Sequence, residues 1–263
     1  MAVKIGHASS SETGKISGGA AGDQSGKEVY IRTWYKHSKG WVTLRFKDPL
    51  LAEYAAEGME MACANDNIGY DQSQNQTLWN DGKNNDFNPS KITKKVETDC
   101  ARLVRFCVQY AVRKAGLDIT IPDFYTATLV SVLMNTGLFE KLTDSKYNTQ
   151  DAYLERGMIQ CTKTKGHTWI ILSNGSKATV RNAEKPVAAP VAPTVKSESG
   201  YIVKVTGDTV NIRTGPGTQY TAIEQVKKGD VLEVPKADGW TPIKFGGHTY
   251  WISDKYTELV KEG

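Results

Sequence analysis

Two residues far apart in the chain have types and settings that suit nucleophilic catalysis. Cys100 follows Asp99 at the start of a segment in which apolar residues recur every three or four positions, the spacing of an amphipathic helix. Asp99 suits the N-cap, so the Cys100 thiol would face the positive end of the helix dipole, which favours the thiolate. His167 precedes a strand-like run at 168–172 and could act as the base. The pair predicts thiolate attack on a carbonyl. A buried structural cysteine is the alternative.

A third polar residue follows from a predicted hairpin. Asn174-Gly175 lies between two runs with strand character and favours a two-residue type I′ turn. In that register Asn182 lies opposite His167, close enough to hold one imidazole nitrogen. If the turn is one residue later, Glu184 lies opposite instead. We therefore expect Asn182, or Glu184 in the alternative register, to orient the base.

The elements that must position these residues can be placed from periodicity and caps. The Cys100 helix is expected to end at Gly116, and a second helix to begin at Asp48-Pro49. Strands are expected at 28–34 and 41–46, a short helix at 126–135, and β-structure from 158 to 181. The Cys100 helix would bury one face, made of Cys100, Leu103, Val104, Cys107, Val108, Ala111, Val112 and Ala115.

Two polar segments separate these elements. The glycine-rich segment at 22–26 either connects strands or folds over the nucleophile and lends polar groups to a cleft. The loop at 65–90 could wall a substrate groove with Tyr70, Asp71 and Trp79. Its Asn/Asp cluster at 80–86 does not match the EF-hand spacing, so neither a metal site nor another cofactor is expected.

Composition limits the classes of function. The chain has 263 residues, of which 39% are hydrophobic and 24% charged, as expected for two soluble domains. It shows no membrane-length apolar run and no secretory signal, so we expect synthesis in the cytoplasm and no membrane partner. A net charge of +4 is too weak to indicate nucleic-acid binding. The four cysteines show no zinc spacing and are expected to be reduced. We expect a monomer.

Short motifs indicate a family for the first domain. The sequence Asp-Cys-Ala-Arg-Leu-Val at 99–104, followed by Gly-His-Thr-Trp-Ile at 166–170, resembles the NlpC/P60 and CHAP groups of papain-like cysteine peptidases. The resemblance implies an α+β, papain-like hydrolase domain over residues 1–182, with Cys100 and His167 as catalytic residues. Ala101 and Arg102 replace the Ser and Gly typical of these groups. Arg102 would either select an acidic substrate group or lie on the solvated helix face.

A second domain follows a linker. Residues 183–198 are rich in Pro and Ala, which gives an extended spacer. Residues 199–263 resemble the bacterial SH3 domain, a small all-β barrel, through Asn-Ile-Arg-Thr-Gly-Pro-Gly at 211–217 and Asp-Gly-Trp at 238–240. The resemblance implies binding to cell-wall peptide or cross-bridge. The candidate wall-binding aromatic residues are Tyr220, Trp240, Tyr250 and Trp251.

The combination of the two domains resembles the phage endolysins. It implies a protein that is made in the host cytoplasm and, after release, hydrolyses an amide of the peptidoglycan stem peptide or cross-bridge. Peptidoglycan is then the expected partner, without nucleic acid or membrane. The alternatives are a bacterial autolysin of the same chemistry and a non-catalytic wall-binding or phage structural protein. The sequence leaves open whether the bond cut is the sugar-to-alanine amide, the γ-glutamyl bond or a cross-bridge bond.

Overall fold

The chain divides into two units, residues 1–183 and residues 184–263. The computed structural model describes residues 2–179, 181, 201–213, 217–218, 222–234, 239–245 and 248–261. The predicted linker at 183–198 lies outside these residues. Within the described ranges, no helix is both long enough and apolar enough to cross a membrane.

The first unit is a mixed α/β domain. Its elements in chain order are β1 (Lys4–Ala8), β2 (Val29–Thr33), β3 (Trp41–Phe46), α1 (Pro49–Cys63), β4 (Ile68–Tyr70), α2 (Thr77–Gly82), a 3-10 turn (Pro89–Lys91), β5 (Val96–Thr98), α3 (Cys100–Lys114), α4 (Leu129–Asn135), β6 (Phe139–Leu142), α5 (Lys146–Thr149), β7 (Ile159–Thr162) and β8 (Thr168–Ile171).

Six strands form one sheet in the order β2-β1-β8-β7-β3-β6, and each neighbouring pair is antiparallel. The short strands β4 and β5 form a separate parallel pair that leads directly into α3. Helix α1 lies close against β1, since a Cβ added at Gly6 would be 2.4 Å from Cγ of Met59. In the strand order of the large sheet, the N-terminal strand β1 is an inner strand between β8 and β2.

The two long helices form for the reasons expected from their caps. Asp48 accepts a hydrogen bond from the backbone N–H of Leu50 at the start of α1, and Asp99 accepts one from Arg102 at the start of α3. Helix α3 ends before Gly116, whose φ of 74° lies in the left-handed region. The prediction of both helices is confirmed. So is burial of the α3 face at Cys100, Leu103, Val104, Cys107, Val108, Ala111 and Val112.

The hairpin predicted after His167 is absent. A type I′ turn needs positive φ at both central residues, and neither Asn174 nor Gly175 has it. A Cβ at Gly175 would lie only 2.2 Å from the carbonyl oxygen of Asp151, so this turn packs on residues 151–152. The two neighbours of β8 are β7 and β1. The pairing argument for Asn182 and Glu184 is therefore wrong, and both residues lie outside the described part of the chain.

The second unit is an all-β, SH3-like region. Its strands are β9 (Tyr201–Val205), β10 (Thr209–Arg213), β11 (Ala222–Lys227), β12 (Val231–Val234), β13 (Trp240–Phe245), β14 (His248–Ser253) and β15 (Thr257–Lys261), with a 3-10 turn at Asp254–Tyr256. They form two sheets, ordered β11-β10-β14-β13 and β12-β9-β15.

Candidate functional site

Cys100 is the first residue of α3 and is 7% exposed. The backbone N–H of Thr168, the residue after His167, is close enough to the Cys100 thiol to lower its pKa. The start of the helix and the start of β8 therefore meet at this point. The two residues chosen from the sequence, 67 positions apart, lie at one location in the fold.

The backbone of His167 is held by the turn between β7 and β8. The N–H of Thr162 donates to the carbonyl oxygen of His167 at 2.9 Å. In return, Oγ1 of Thr162 accepts from the N–H groups of Gly166 and His167, at 2.9 and 3.2 Å. These hydrogen bonds fix the position of the His167 backbone, from which the imidazole side chain extends.

His7 on β1 lies within hydrogen-bond distance of the His167 ring. Its Nδ1 lies 2.8 Å from Nε2 of His167, a hydrogen-bond distance, and the His7 side chain is buried, with the residue 2% exposed. Rings of Tyr30 and Trp169 pack beside it, with centroids 4.7 and 6.4 Å from that of His7. Sequence reasoning missed His7, because the expected partner was sought on a strand after β8.

This contact limits the roles that the ring nitrogens can take when His167 acts as a base. Since Nε2 of His167 is engaged by His7, Nδ1 is the nitrogen left to accept a proton. A neutral base must then carry its hydrogen on Nε2 and donate it to Nδ1 of His7. In that tautomer His7 has its own proton on Nε2, an atom that is buried and has no hydrogen-bond partner among the described residues.

Burial shifts the pKa values of Cys100 and His167 in the direction that favours their neutral forms. It raises the pKa of the Cys100 thiol to about 12, with a further rise from the charge of Asp99, against the lowering effect of the Thr168 and Ala101 N–H groups. Burial, followed by the charges of Arg32 and His37, lowers the pKa of His167 to about 4. The shift at Cys100 is therefore opposite in direction to the one expected from the helix start, because desolvation is its largest cause.

Arg102 is held by two carboxylates. Its Nη1 donates to Oδ2 of Asp99 at 2.7 Å, and its Nη2 donates to Oδ2 of Asp123 at 3.2 Å. The same Asp99 oxygen also accepts from Nδ2 of Asn75 at 3.0 Å. With its side chain 16% exposed, Arg102 does not lie on a solvated helix face. Its ion pairs hold it at the helix start, two residues after Cys100.

The residues expected to wall a groove at 65–90 are buried. Tyr70 pairs with Thr98 across β4 and β5, and its hydroxyl is near enough to Cys100 for the two groups to interact electrostatically. Asp71 is structural, since it accepts from the N–H of Gly18 at 2.7 Å. Trp79 lies under the guanidinium of Arg105, whose Cζ is 3.3 Å from the ring centroid. Only Tyr70 of the three adjoins the site.

The glycine-rich segment is attached to the strand that leads to Cys100. The N–H of Gly22 donates to Oε1 of Glu97 at 2.7 Å, and the side chain of Asp23 accepts the N–H groups of Glu28 and Val29. Burial raises the pKa of Glu97 to about 7, with a further rise from the charge of Glu28. The segment therefore packs on β5 at Glu97, three residues before Cys100.

Of the four wall-binding candidates in the second unit, Trp240 and Trp251 are half-exposed. Trp240 pairs with Ser253, two residues from Trp251, so the two tryptophans share a face of the β13–β14 pair. Tyr250 is paired with Ile243 in the same hairpin. Tyr220 lies outside the described residues.

The described residues contain no group of three or more His, Cys, Asp or Glu side chains that could hold a metal ion. All four cysteines are free, as expected. The chemistry available at this location is that of a thiol and two imidazoles.

Comparison with known families gives two matches. A model described as an endolysin-like domain matches residues 5–178, which is more than half of the chain. A model described as a bacterial SH3 domain matches residues 208–258. No curated protein matches the sequence. The first match begins within β1 and so includes His7 as well as Cys100 and His167.

Proposed function

The chain belongs to the endolysin-like domain family, and on that premise we propose that it hydrolyses peptidoglycan by cysteine chemistry. The bacterial SH3 domain at 208–258 suggests attachment to the cell wall. Together the two domains have an endolysin-like architecture. We further propose that the first unit is a papain-like amidase that cuts a stem-peptide or cross-bridge amide.

One observation carries the proposal. The backbone N–H of Thr168 lies close to the Cys100 thiol, next to a histidine whose Nε2 is 2.8 Å from Nδ1 of a second, buried histidine. A nucleophile, a base and a group that orients the base are the three parts of a catalytic triad. Cys100, His167 and His7 fill these roles, and His7 takes the role first expected of Asn182 or Glu184.

The first half of the reaction forms a thioester. Nδ1 of His167 accepts the thiol proton as Sγ of Cys100 attacks the amide carbonyl, so the attacking thiolate arises together with the new bond. The oxyanion is placed near the backbone N–H of Cys100, which has no partner within α3 because it is at the helix start. The imidazolium then gives the proton to the leaving amine.

The second half hydrolyses the thioester. Water enters after the amine leaves, His167 accepts a proton from the water, and the hydroxide formed attacks the carbonyl. The proton returns to sulfur as the carboxylic acid is released. Throughout, Nδ1 of His7 accepts the Nε2–H of His167, which keeps the base in one orientation and stabilises the transient imidazolium.

The second unit supplies attachment. An enzyme tethered to an insoluble polymer meets its substrate at a raised local concentration, so a weak wall-binding module increases the rate on walls. We propose that Trp240 and Trp251 contribute to the bound surface, together with Tyr220 and Tyr250. A protein of this kind would be made in the host cytoplasm and act on the wall after release.

The direct test is to incubate purified walls with the protein and identify the fragments by mass spectrometry. We expect fragments that carry new amino and carboxyl termini at one kind of amide. The Cys100→Ala variant should release at least ~10³-fold less while still sedimenting with walls. A wild-type protein that sediments with walls but releases nothing would be a binding protein only, which contradicts the proposal.

A further inference from the structure

Unpaired cations border the candidate active site on the side of His167. Between residues 29 and 47, and again between 156 and 179, the sequence contains no Asp or Glu. Six basic side chains of these segments, Arg32, Lys36, His37, Lys39, Lys163 and Lys165, are here called the cationic rim. All but His37 are exposed, and none of the six forms an ion pair within the described ranges.

The rim is contiguous because its two segments are hydrogen-bonded to each other. The N–H of Lys163 donates to the carbonyl oxygen of Gly40 at 3.1 Å, and the N–H of Gly40 donates to that of His37 at 2.9 Å. A Cβ added at Gly40 would be 3.7 Å from Nζ of Lys163. The turn before His167 and the loop after β2 therefore lie side by side.

Two members of the rim are held in place by aromatic rings. Cζ of Arg32 lies 4.7 Å from the ring centroid of Tyr35, and the His37 ring lies 5.5 Å from that of Trp41. Nδ1 of His37 accepts the N–H of Lys39 at 3.1 Å, so its Nε2 carries a hydrogen that it can donate. Arg32 and His37 thus present N–H donors, and both groups are close enough to His167 to influence its charge.

The opposite side of the nucleophile is different. There the guanidiniums of Arg102 and Arg105 are already paired with Asp123, at 3.2 and 3.1 Å. An anionic ligand would have to displace that carboxylate, whereas nothing has to be displaced from Arg32. An anionic group bound next to the reacting amide would therefore bind on the His167 side.

We propose that Arg32, assisted by His37, forms a subsite that binds a free carboxylate of the stem peptide adjacent to the scissile amide. This inference rests on the proposed function, because the ligand is the substrate of that reaction. A planar guanidinium matches a carboxylate and pairs with it through two N–H donors. A carboxamide of the same shape lacks the charge and binds more weakly. Wall peptide with free carboxylates is then preferred over its amidated form.

Binding to an inactive protein tests this without turnover. Two soluble stem peptides that differ only in a free or amidated side carboxyl are titrated by calorimetry into the Cys100→Ala protein. We expect about tenfold tighter binding of the free carboxylate, equal to about 1.4 kcal/mol. Adding Arg32→Gln should remove that preference and leave the amidated peptide unaffected, and Arg32→Lys should keep part of it.

Lys141→Gln is the matched control, since Lys141 is an exposed cation on β6, at the other edge of the sheet from β2. It should retain the preference for the free carboxylate. Equal affinity of the Cys100→Ala protein for both peptides would overturn the subsite. An equal loss of affinity for both peptides on adding Arg32→Gln would overturn it as well. A loss of binding by the Arg32→Gln protein that appears only with intact walls would also overturn the subsite, because it would indicate that Arg32 binds an anionic wall polymer. If the preference is found but the active protein cuts neither peptide, only the proposed function fails.

Discussion

At the scale of single residues, His7 is the new element of the account. Its Nδ1 is 2.8 Å from Nε2 of His167, and the δ atoms of an asparagine side chain occupy nearly the same place as Nδ1 of histidine. His7→Asn can therefore still accept the Nε2–H of His167, whereas His7→Leu cannot. We expect His7→Leu to lower kcat about 10²-fold with little change in KM, and His7→Asn to recover most of the loss. Steady-state kinetics on a soluble muropeptide measures both.

The outcome that contradicts this role is equal activity of the two variants after their folding has been checked. Equal, severe losses would mean that His7 serves packing against Tyr30 and Trp169, since both replacements disturb those ring contacts. Equal, small losses would mean that another group orients His167.

The pKa of His167 predicts the acid limb of the pH profile. The imidazole must be neutral to accept a proton, and burial together with Arg32 and His37 lowers its pKa from 6.5 to about 4. The value of kcat/KM should therefore stay level as pH falls through 6.5 and drop only near pH 4. Arg32→Gln removes one positive charge, which should raise the pKa of His167 and move the acid limb to higher pH. A limb at or above 6.5 in the wild-type protein would contradict the buried, neutral base.

The same shifts predict how stability depends on pH. Both His7 and His167 have folded-state pKa values below 6.5, at about 3 and about 4. Below pH 6.5 the unfolded chain binds protons that the folded chain does not, so stability falls as pH drops from about 6.5 toward 4. Denaturant midpoints measured across this range should decline, and His7→Asn should reduce the slope. An unchanged slope in His7→Asn would contradict a buried, neutral His7, because Glu97, with its pKa raised to about 7, contributes with the opposite sign in both proteins.

Cys100 and His167 could be chosen from the sequence because each has a local signature. Asp99 marks a helix start and the apolar run after His167 marks a strand, so both rest on interactions within a few residues. The protonation state could not be predicted in this way. It depends on burial by elements distant in sequence, and that burial outweighs the helix terminus.

At the scale of elements, the position of β1 decides the site. The sequence suggested that the strand next to β8 would follow it after Asn174-Gly175, but β1, from the other end of the domain, occupies that position. A hairpin can be predicted from two turn residues. Pairing between strands more than 150 residues apart leaves no local signal, so His7 could not be assigned from the sequence alone.

Close packing of β1 on α1 gives a prediction for this element. A Cβ at Gly6 would lie 2.4 Å from Cγ of Met59 and 3.2 Å from Sγ of Cys63. Gly6→Ala should therefore displace β1, destabilise the domain by about 1–3 kcal/mol and lower activity by moving His7. Denaturant unfolding and kinetics measure these effects.

Gly166→Ala is the matched control. Gly166 adjoins His167, but the nearest atom to its added Cβ is Oγ1 of Thr162, at 4.0 Å. This variant should keep nearly wild-type stability. If Gly6→Ala is equally well tolerated, β1 does not pack on α1 as described.

At the scale of the whole molecule, the proposed function assigns cutting to the first unit and attachment to the second. Residues 1–183 form one unit with its own core, so this fragment should fold alone and cut soluble muropeptide at the full-length rate. On intact walls at low concentration it should be slower, by about tenfold or more, because tethering is lost. Turbidity loss of walls and release of soluble product measure the two rates. Equal losses on both substrates would mean that the second unit completes the active site.

The central claim is that Cys100 forms a thioester with the acyl part of the cut amide. The most direct measurement is mass spectrometry of the intact protein after rapid acid quenching of a reaction with soluble muropeptide, followed by mapping of the modified peptide. The account predicts an added mass equal to the acyl fragment, located on Cys100 and absent from Cys100→Ala. Cleavage that continues in Cys100→Ala, or an adduct on another residue, would contradict it.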